Sequence, residues 1–287
     1  MPSIVALELV GPARTAAAPV SMWHGLATRL LHSVDGAAAV YHGRDASSVS
    51  VGWPAPCAAG DGAAVFVWEF GFLDDGLAQR FASSEALLAL PMRIGSRTLV
   101  PVGNARLSNA GQASLAWEDA ISAALERSES RDEFSLELRS PFQCRRGGLG
   151  NLAFVPEIVF KQLSRRVSAY SPAEVKDLLE EFSPSKSRLV RLDCATVEFM
   201  LRPGVRDRGI VGRVEIAYDS PEGMAGFHLL GLIAPFAGLG AKTGACLGSV
   251  RPAQPMRRRR NSSSPDLSGF KPVDFAVREV CDAPSEN

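Results

Sequence analysis

Apolar positions recur along the chain with two distinct periods. Ser3 to Val10 places Ile4, Val5, Leu7 and Leu9 in an extended run that predicts a first strand. From Val20 to Val34 the period becomes helical. Met22, Trp23, Leu26, Ala27, Leu30, Leu31 and Val34 share one half-circle, while His24, Thr28 and His32 line up with Gly25 and Arg29 on the other. Ser21 is placed to cap this helix and Asp35-Gly36 to end it. Ala37 to Tyr41 predicts a short helical turn ahead of His42. Ser48 to Trp53 alternates Val with Ser or Gly, as a half-buried strand does, and Ala64 to Phe72 is a strongly apolar strand. Asp74-Asp75 caps a helix over Gly76 to Leu90, Pro91 stops it, and Thr98 to Leu107 is extended. The resulting order, β-α-β-β-α-β, is the ferredoxin-like pattern.

The pattern then partly restarts. A helix over Ala116 to Leu125 and the polar run "ERSESRDE" mark a boundary. Phe134 to Leu138 alternates as a strand, and Ser140 to Gly148 is a basic, glycine-ended loop. Helices follow at Glu157 to Val167 and Pro172 to Phe182, and two antiparallel strands at Val190 to Leu201 and Gly209 to Tyr218. An apolar helix from Met224 to Phe236, a glycine-rich stretch and a short strand at Leu247 to Val250 complete the second unit. The expectation is an α+β chain of two tandem ferredoxin-like domains, 1–125 and 126–251. Residues 252–287, with "RPAQPMRRRRNSSSP", form a basic Ser/Pro-rich tail whose composition predicts disorder.

Composition narrows the class. At 46% hydrophobic and 22% charged the chain reads as globular. Its five scattered cysteines lack C-x-x-C spacing, which argues against a zinc site or disulfide framework and makes a reducing cytoplasm the expected location. No apolar run reaches membrane-spanning length. Net charge is zero, so any nucleic-acid footprint must be a local patch.

The densest feature is Phe236 to Arg251, with Gly238, Gly240, Gly244 and Gly248 around Lys242 and Thr243. Such loops bring backbone N–H groups close to anions. It is not a P-loop: Ala241 precedes Lys242 where that motif needs glycine, and a helix precedes the loop where a strand should. By residues alone the stretch reads either as an anion-binding loop or as a turn packing a helix against a sheet.

With "GIVGRVEIAY" before it, the run "LLGLIAPFAGLGAKTGACLGSVR" resembles the C-terminal signature of the RAMP proteins of CRISPR systems. More closely, it is similar to the CRISPR-associated endoribonuclease that cuts repeat RNA into guide units. Gly238, Leu239, Gly240, Lys242, Thr243 and Gly248 match that pattern, whereas Cys246 occupies its penultimate glycine position. "VFVWEFGFLDDGLAQRF", "FSLELRSPF" and "FVPEIVFKQLSRR" resemble other segments of the family, so the likeness spans about residues 3–251.

The resemblance implies two ferredoxin-like domains, no cofactor, and metal-independent cleavage by 2′-hydroxyl attack on the adjacent phosphate. Such chemistry needs a group titrating near neutrality, for which histidine is suited, and positive or N–H donors for the phosphate. The family's catalytic histidine follows the first helix, which points to His42, with His24 as second candidate. His228, inside the apolar helix, reads as a core residue. The candidate RNA contacts are Arg29, Arg44, Arg145, Arg146, Lys242 and Arg251. The implied partners are CRISPR repeat RNA and other effector subunits, with the protein a monomer or homodimer. No lysine precedes Lys161 to accompany the histidine as the family often has it. That absence keeps open an inactive RAMP subunit that only binds RNA.

Overall fold

A computed structural model of the chain describes residues 1–35, 47–60, 62–108, 113–146 and 149–254. The first half runs β1 (Ser3–Pro12), α1 (Val20–Asp35), β2 (Val49–Val51), β3 (Ala55–Gly60), β4 (Ala63–Phe72), α2 (Asp75–Ser83), α3 (Ala86–Ala89), β5 (Met92–Ile94), β6 (Arg97–Pro101) and β7 (Arg106–Leu107). The second comprises α4 (Trp117–Ser128), β8 (Glu133–Phe142), β9 (Cys144–Arg146), β10 (Leu149–Asn151), α5 (Pro156–Tyr170), α6 (Ala173–Glu181), β11 (Ser187–Arg202), β12 (Val205–Tyr218), α7 (Met224–Ala237) and β13 (Val250–Ala253).

Two sheets carry one topology. The first is ordered β2-β4-β1-β6-β5 and the second β11-β12-β8-β13. In ferredoxin terms the four principal strands of each read second, third, first, fourth, with every described pair antiparallel. The sequence therefore folds twice into the expected α+β unit. Boundaries move in places. The strand expected at Leu247 to Val250 begins only at Val250, pairing with Leu138, because the residues before it are spent on the glycine turn. The extended run from Thr98 breaks into β6 and β7 around a turn. The helical turn expected at Ala37 to Tyr41 lies outside the described residues.

Local chemistry accounts for the elements. The Asp74 carboxylate accepts from the Leu77 N–H at 3.0 Å and caps α2, and Pro156 opens α5 where a helix needs no N–H. Alternation along β4 sends Phe66, Trp68, Phe70 and Phe72 inward onto Trp23 of α1 and Phe81 of α2, forming the first core. The second core packs Phe142, Phe160, Phe227 and Tyr218. Most of α4 lies before residue 126, yet it packs against α7, with Trp117, Ala120 and Ala124 buried in this second core.

The halves interlock. Ile4 and Leu73 belong to the second core, and Cys246 to the first. At the end of α7, the Ser50 hydroxyl on β2 donates to the Phe236 carbonyl at 2.8 Å. That contact delivers the glycine stretch to the junction of the two sheets.

Candidate functional site

The stretch from Gly238 to Ser249 is a sharply folded loop that needs its glycines. Gly240 and Gly248 have φ of +77° and +70°. A Cβ at Gly240 would overlap the Gln143 carbonyl oxygen, and one at Gly248 the Leu239 carbonyl oxygen. Lys242 and Cys246 also sit in the left-handed region, at +61° and +62°. The Cys246 backbone explains why the resembling family has glycine there. A side chain in this conformation costs roughly 1–2 kcal/mol. The thiol is fully buried beside Trp68 in the first core, and burial pushes its pKa well up.

Much of the loop's N–H inventory is turned inward. Leu239 N–H donates to Gly248 O at 2.8 Å, Ala241 to Gln143 O at 2.8 Å, Ala245 to Lys242 O at 2.7 Å and Gly248 to Pro141 O at 3.1 Å. Ser249 N–H donates to the Ser140 hydroxyl at 2.9 Å. The loop is thus both readings at once: a turn packing α7 against a sheet, and a rigid mount for the Lys242 side chain.

The chain brings one expected histidine to this mount. His24 Nδ1 lies 3.1 Å from the Gly244 carbonyl oxygen, a contact between residues 220 apart in sequence. A carbonyl only accepts, so Nδ1 carries the proton in this bond, which fixes tautomer and ring orientation. His42 and Arg44 lie outside the described residues. His228 is buried, with Nε2 donating to Arg131 O at 2.8 Å. Burial foremost holds its pKa below the ordinary imidazole value, as befits a core residue.

The expected cations are distributed differently from one another. Lys242 Nζ lies 3.5 Å from Asp207 Oδ2, on the β11–β12 hairpin. Arg251 Nη2 lies 2.8 Å from both carboxylate oxygens of Glu69, bridging β13 to β4 and strapping the sheets together. Arg29 Nη2 donates to Arg93 O, on β5, at 3.2 Å. Arg145 and Arg146 occupy β9, in register with Gly150 and Leu149. β9 follows directly on Gln143, which holds the loop.

Two site residues were not among the sequence candidates. Arg166 on α5 donates to Ala237 O, and its Nη1 lies 3.5 Å from Gly238 O, capping α7 where the loop begins. Burial lowers its pKa to about 10. Its signal was an arginine next to the buried Val167 of α5. Asp207 had no signal beyond its place near a hairpin turn. Among the described residues no group of three His, Cys, Asp or Glu side chains is spaced for a metal ion, and no helix is long and apolar enough to cross a membrane.

Residues 136–250, from mid-β8 through the glycine loop to the start of β13, match the family model for CRISPR-associated endoribonuclease Cas6. That match takes in the glycine loop and most of the second sheet. A solved Cas6 product complex superposes with a TM-score of 0.63 at 23% identity, covering 88% of this chain and 100% of the other. A second Cas6 product complex gives 0.68 at 21%, covering 88% and 99%. A RAMP protein described as binding different RNA substrates gives 0.56 at 12%, covering 88% and 100%. No curated sequence matches the chain. The Cas6 fold thus accounts for both sheets, and the family model covers the second sheet with its loop.

Proposed function

We propose that this protein binds CRISPR repeat RNA and cleaves it into guide units, without metal, by attack of a ribose 2′-hydroxyl on its adjacent phosphate. The observation that carries the reading is the meeting of α1 with the glycine loop. His24 touches Gly244 there, so the first turns of α1 lie beside the mount of Lys242. The similar Cas6 structures include a product complex, a substrate-mimic complex and a variant with histidine replaced by alanine.

In this reading His42 moves the proton, taking it from the 2′-hydroxyl or giving one to the leaving 5′-oxygen. The product strand ends in a cyclic phosphate or 3′-phosphate, and its neighbour in a 5′-hydroxyl. His24, oriented by Gly244, is the second acid–base candidate. Lys242 stabilises charge growing on the phosphate. Arg29, Arg44, Arg145, Arg146 and Arg251 are the remaining candidate contacts. Arg251 would first have to leave Glu69, which makes it the weakest of them.

An inactive RNA-binding subunit is the second reading, favoured by the absence of a lysine before Lys161 and by the Asp207 carboxylate beside Lys242. Incubation with repeat RNA in EDTA separates the two. Cleavage that persists in chelator, and stops when the nucleotide 5′ of the cut is 2′-deoxy, supports the first reading. Binding without cleavage supports the second. Cleavage of the deoxy substrate contradicts the mechanism.

A further inference from the structure

The charged group mounted on the glycine loop is not an isolated cation. Lys242 faces Asp207 at 3.5 Å, and each side chain of the pair keeps part of its surface open, 21% and 34% respectively. A carboxylate beside a phosphate-binding lysine is unfavourable on charge alone, since it cancels the attraction the lysine supplies. Asp207 is nevertheless held firmly there. Its Oδ1 accepts the Arg208 N–H at 2.8 Å, and its carboxylate accepts a hydrogen bond from the Gln143 side chain.

Gln143 itself is buried and joins the two elements. Its side-chain amide donates to Arg208 O at 2.6 Å and its carbonyl accepts from Ala241 on the loop. The carboxylate therefore keeps its place when the lysine swings toward a ligand. Burial raises the Asp207 pKa, but the hydrogen bonds and the Lys242 charge outweigh it and bring the value below the ordinary carboxylate range. Asp207 is accordingly an ionised, acceptor-only group at neutral pH.

We infer that the Asp207 carboxylate accepts the hydrogen of a ribose 2′-hydroxyl while Lys242 takes the adjoining phosphate, so that the pair distinguishes a ribose strand from a strand without that hydroxyl. The 2′-oxygen and the phosphate belong to one sugar–phosphate unit, which suits an acceptor and a donor set side by side. A strand lacking the hydroxyl meets the repulsion of the carboxylate with no hydrogen bond to offset it. The 2′-hydroxyl is the group by which a protein tells RNA from DNA at a given position. The inference rests on the proposed RNA binding and makes Asp207 a specificity residue of that site.

Stopped-flow anisotropy, which reads binding ahead of any cut, compares the full chain with Asp207→Ala and Lys242→Met on two labelled repeat oligonucleotides. One is all-ribo and the other all-2′-fluoro, which retains the sugar pucker and has no hydrogen to donate. The unmodified protein binds the ribo probe more tightly. Asp207→Ala lowers the ribo-to-fluoro affinity ratio by about tenfold, the effect expected for one hydrogen bond to a charged group. Lys242→Met weakens both probes by the same factor. Asp207→Asn keeps the shape of the side chain and lowers the ratio by less, which guards against a folding defect in the alanine variant. A ratio unchanged in both Asp207 variants, or an equal loss on both probes, overturns the inference. Failure of the unmodified protein to bind either probe instead overturns the proposed function, and the inference with it.

Discussion

The two sheets share a strand order, but their second helices are built for different surroundings. α2 has nine residues, of which Leu77, Ala78 and Phe81 are buried, and it carries Asp75 and Arg80 toward solvent. α7 has fourteen residues, its one titratable side chain is the buried His228, and twelve of the fourteen are buried. A helix apolar all round needs protein on every side. α7 finds it in its own sheet, in α4, α5 and α6, and at its end in β2 and β4 of the first sheet. The carbonyls at its C-terminus therefore open into protein. They are met by Arg166, by Ser50 and by a loop that only left-handed residues can follow. The end of α2 is a simple turn, whereas the end of α7 is where the candidate site is mounted.

The comparison breaks most visibly inside the helices. Phe227→Ala, at a fully buried position of α7, should destabilise the protein by about 3–5 kcal/mol. Gln79→Ala on the exposed face of α2 should change stability by less than about 0.5 kcal/mol. Urea unfolding of both variants checks the contrast, and equal effects would remove it. Next in size is the loop. Gly248→Ala forces a side chain into a left-handed backbone and onto the Leu239 carbonyl, at a cost of about 1–3 kcal/mol. The loss should appear in the thermal midpoint and also weaken binding of repeat RNA, since the loop mounts Lys242.

The smallest effect distinguishes the helices by pH. His228 of α7 is neutral in the fold because burial lowers its pKa, whereas in the unfolded chain it titrates near about 6.5. Arg127 and Arg131 disfavour its charged form further, while Asp132 and the Arg131 carbonyl favour it. The folded value is the depressed one, so its stability contribution is complete above the unfolded pKa and is lost as pH falls toward the folded one. The thermal midpoint should stay level above neutrality and decline below it, and His228→Phe should flatten the decline. A decline unchanged in that variant would assign it to other groups.

These contrasts also show what a sequence can disclose. Strand order and helix type follow from period: the alternation in β4 and the unbroken apolar run of α7 are local facts, and local facts fold the same way twice. The glycine loop was legible because glycine at a left-handed position leaves a mark in the sequence. The Lys242–Asp207, Arg251–Glu69 and His24–Gly244 contacts were not legible. Their partners lie 35, 182 and 220 residues apart, and a lysine, an arginine or a histidine looks the same whichever partner the fold supplies. Arg251 shows the consequence. Read alone it suits a phosphate, and in the fold it is a strap between sheets.

The central claim is that α1 and the glycine loop form one catalytic site from the two halves of the chain. Single-turnover cleavage of repeat RNA, with affinity measured in parallel, tests it most directly on His42→Ala and His24→Ala. The account predicts a loss of about 10²–10⁴-fold in rate for His42→Ala with affinity nearly intact, because an acid–base group acts on the transition state more than on ground-state binding. If His24→Ala alone loses activity, the site stands and its proton-transfer residue is reassigned. If both variants cut at the unmodified rate, the claim is contradicted.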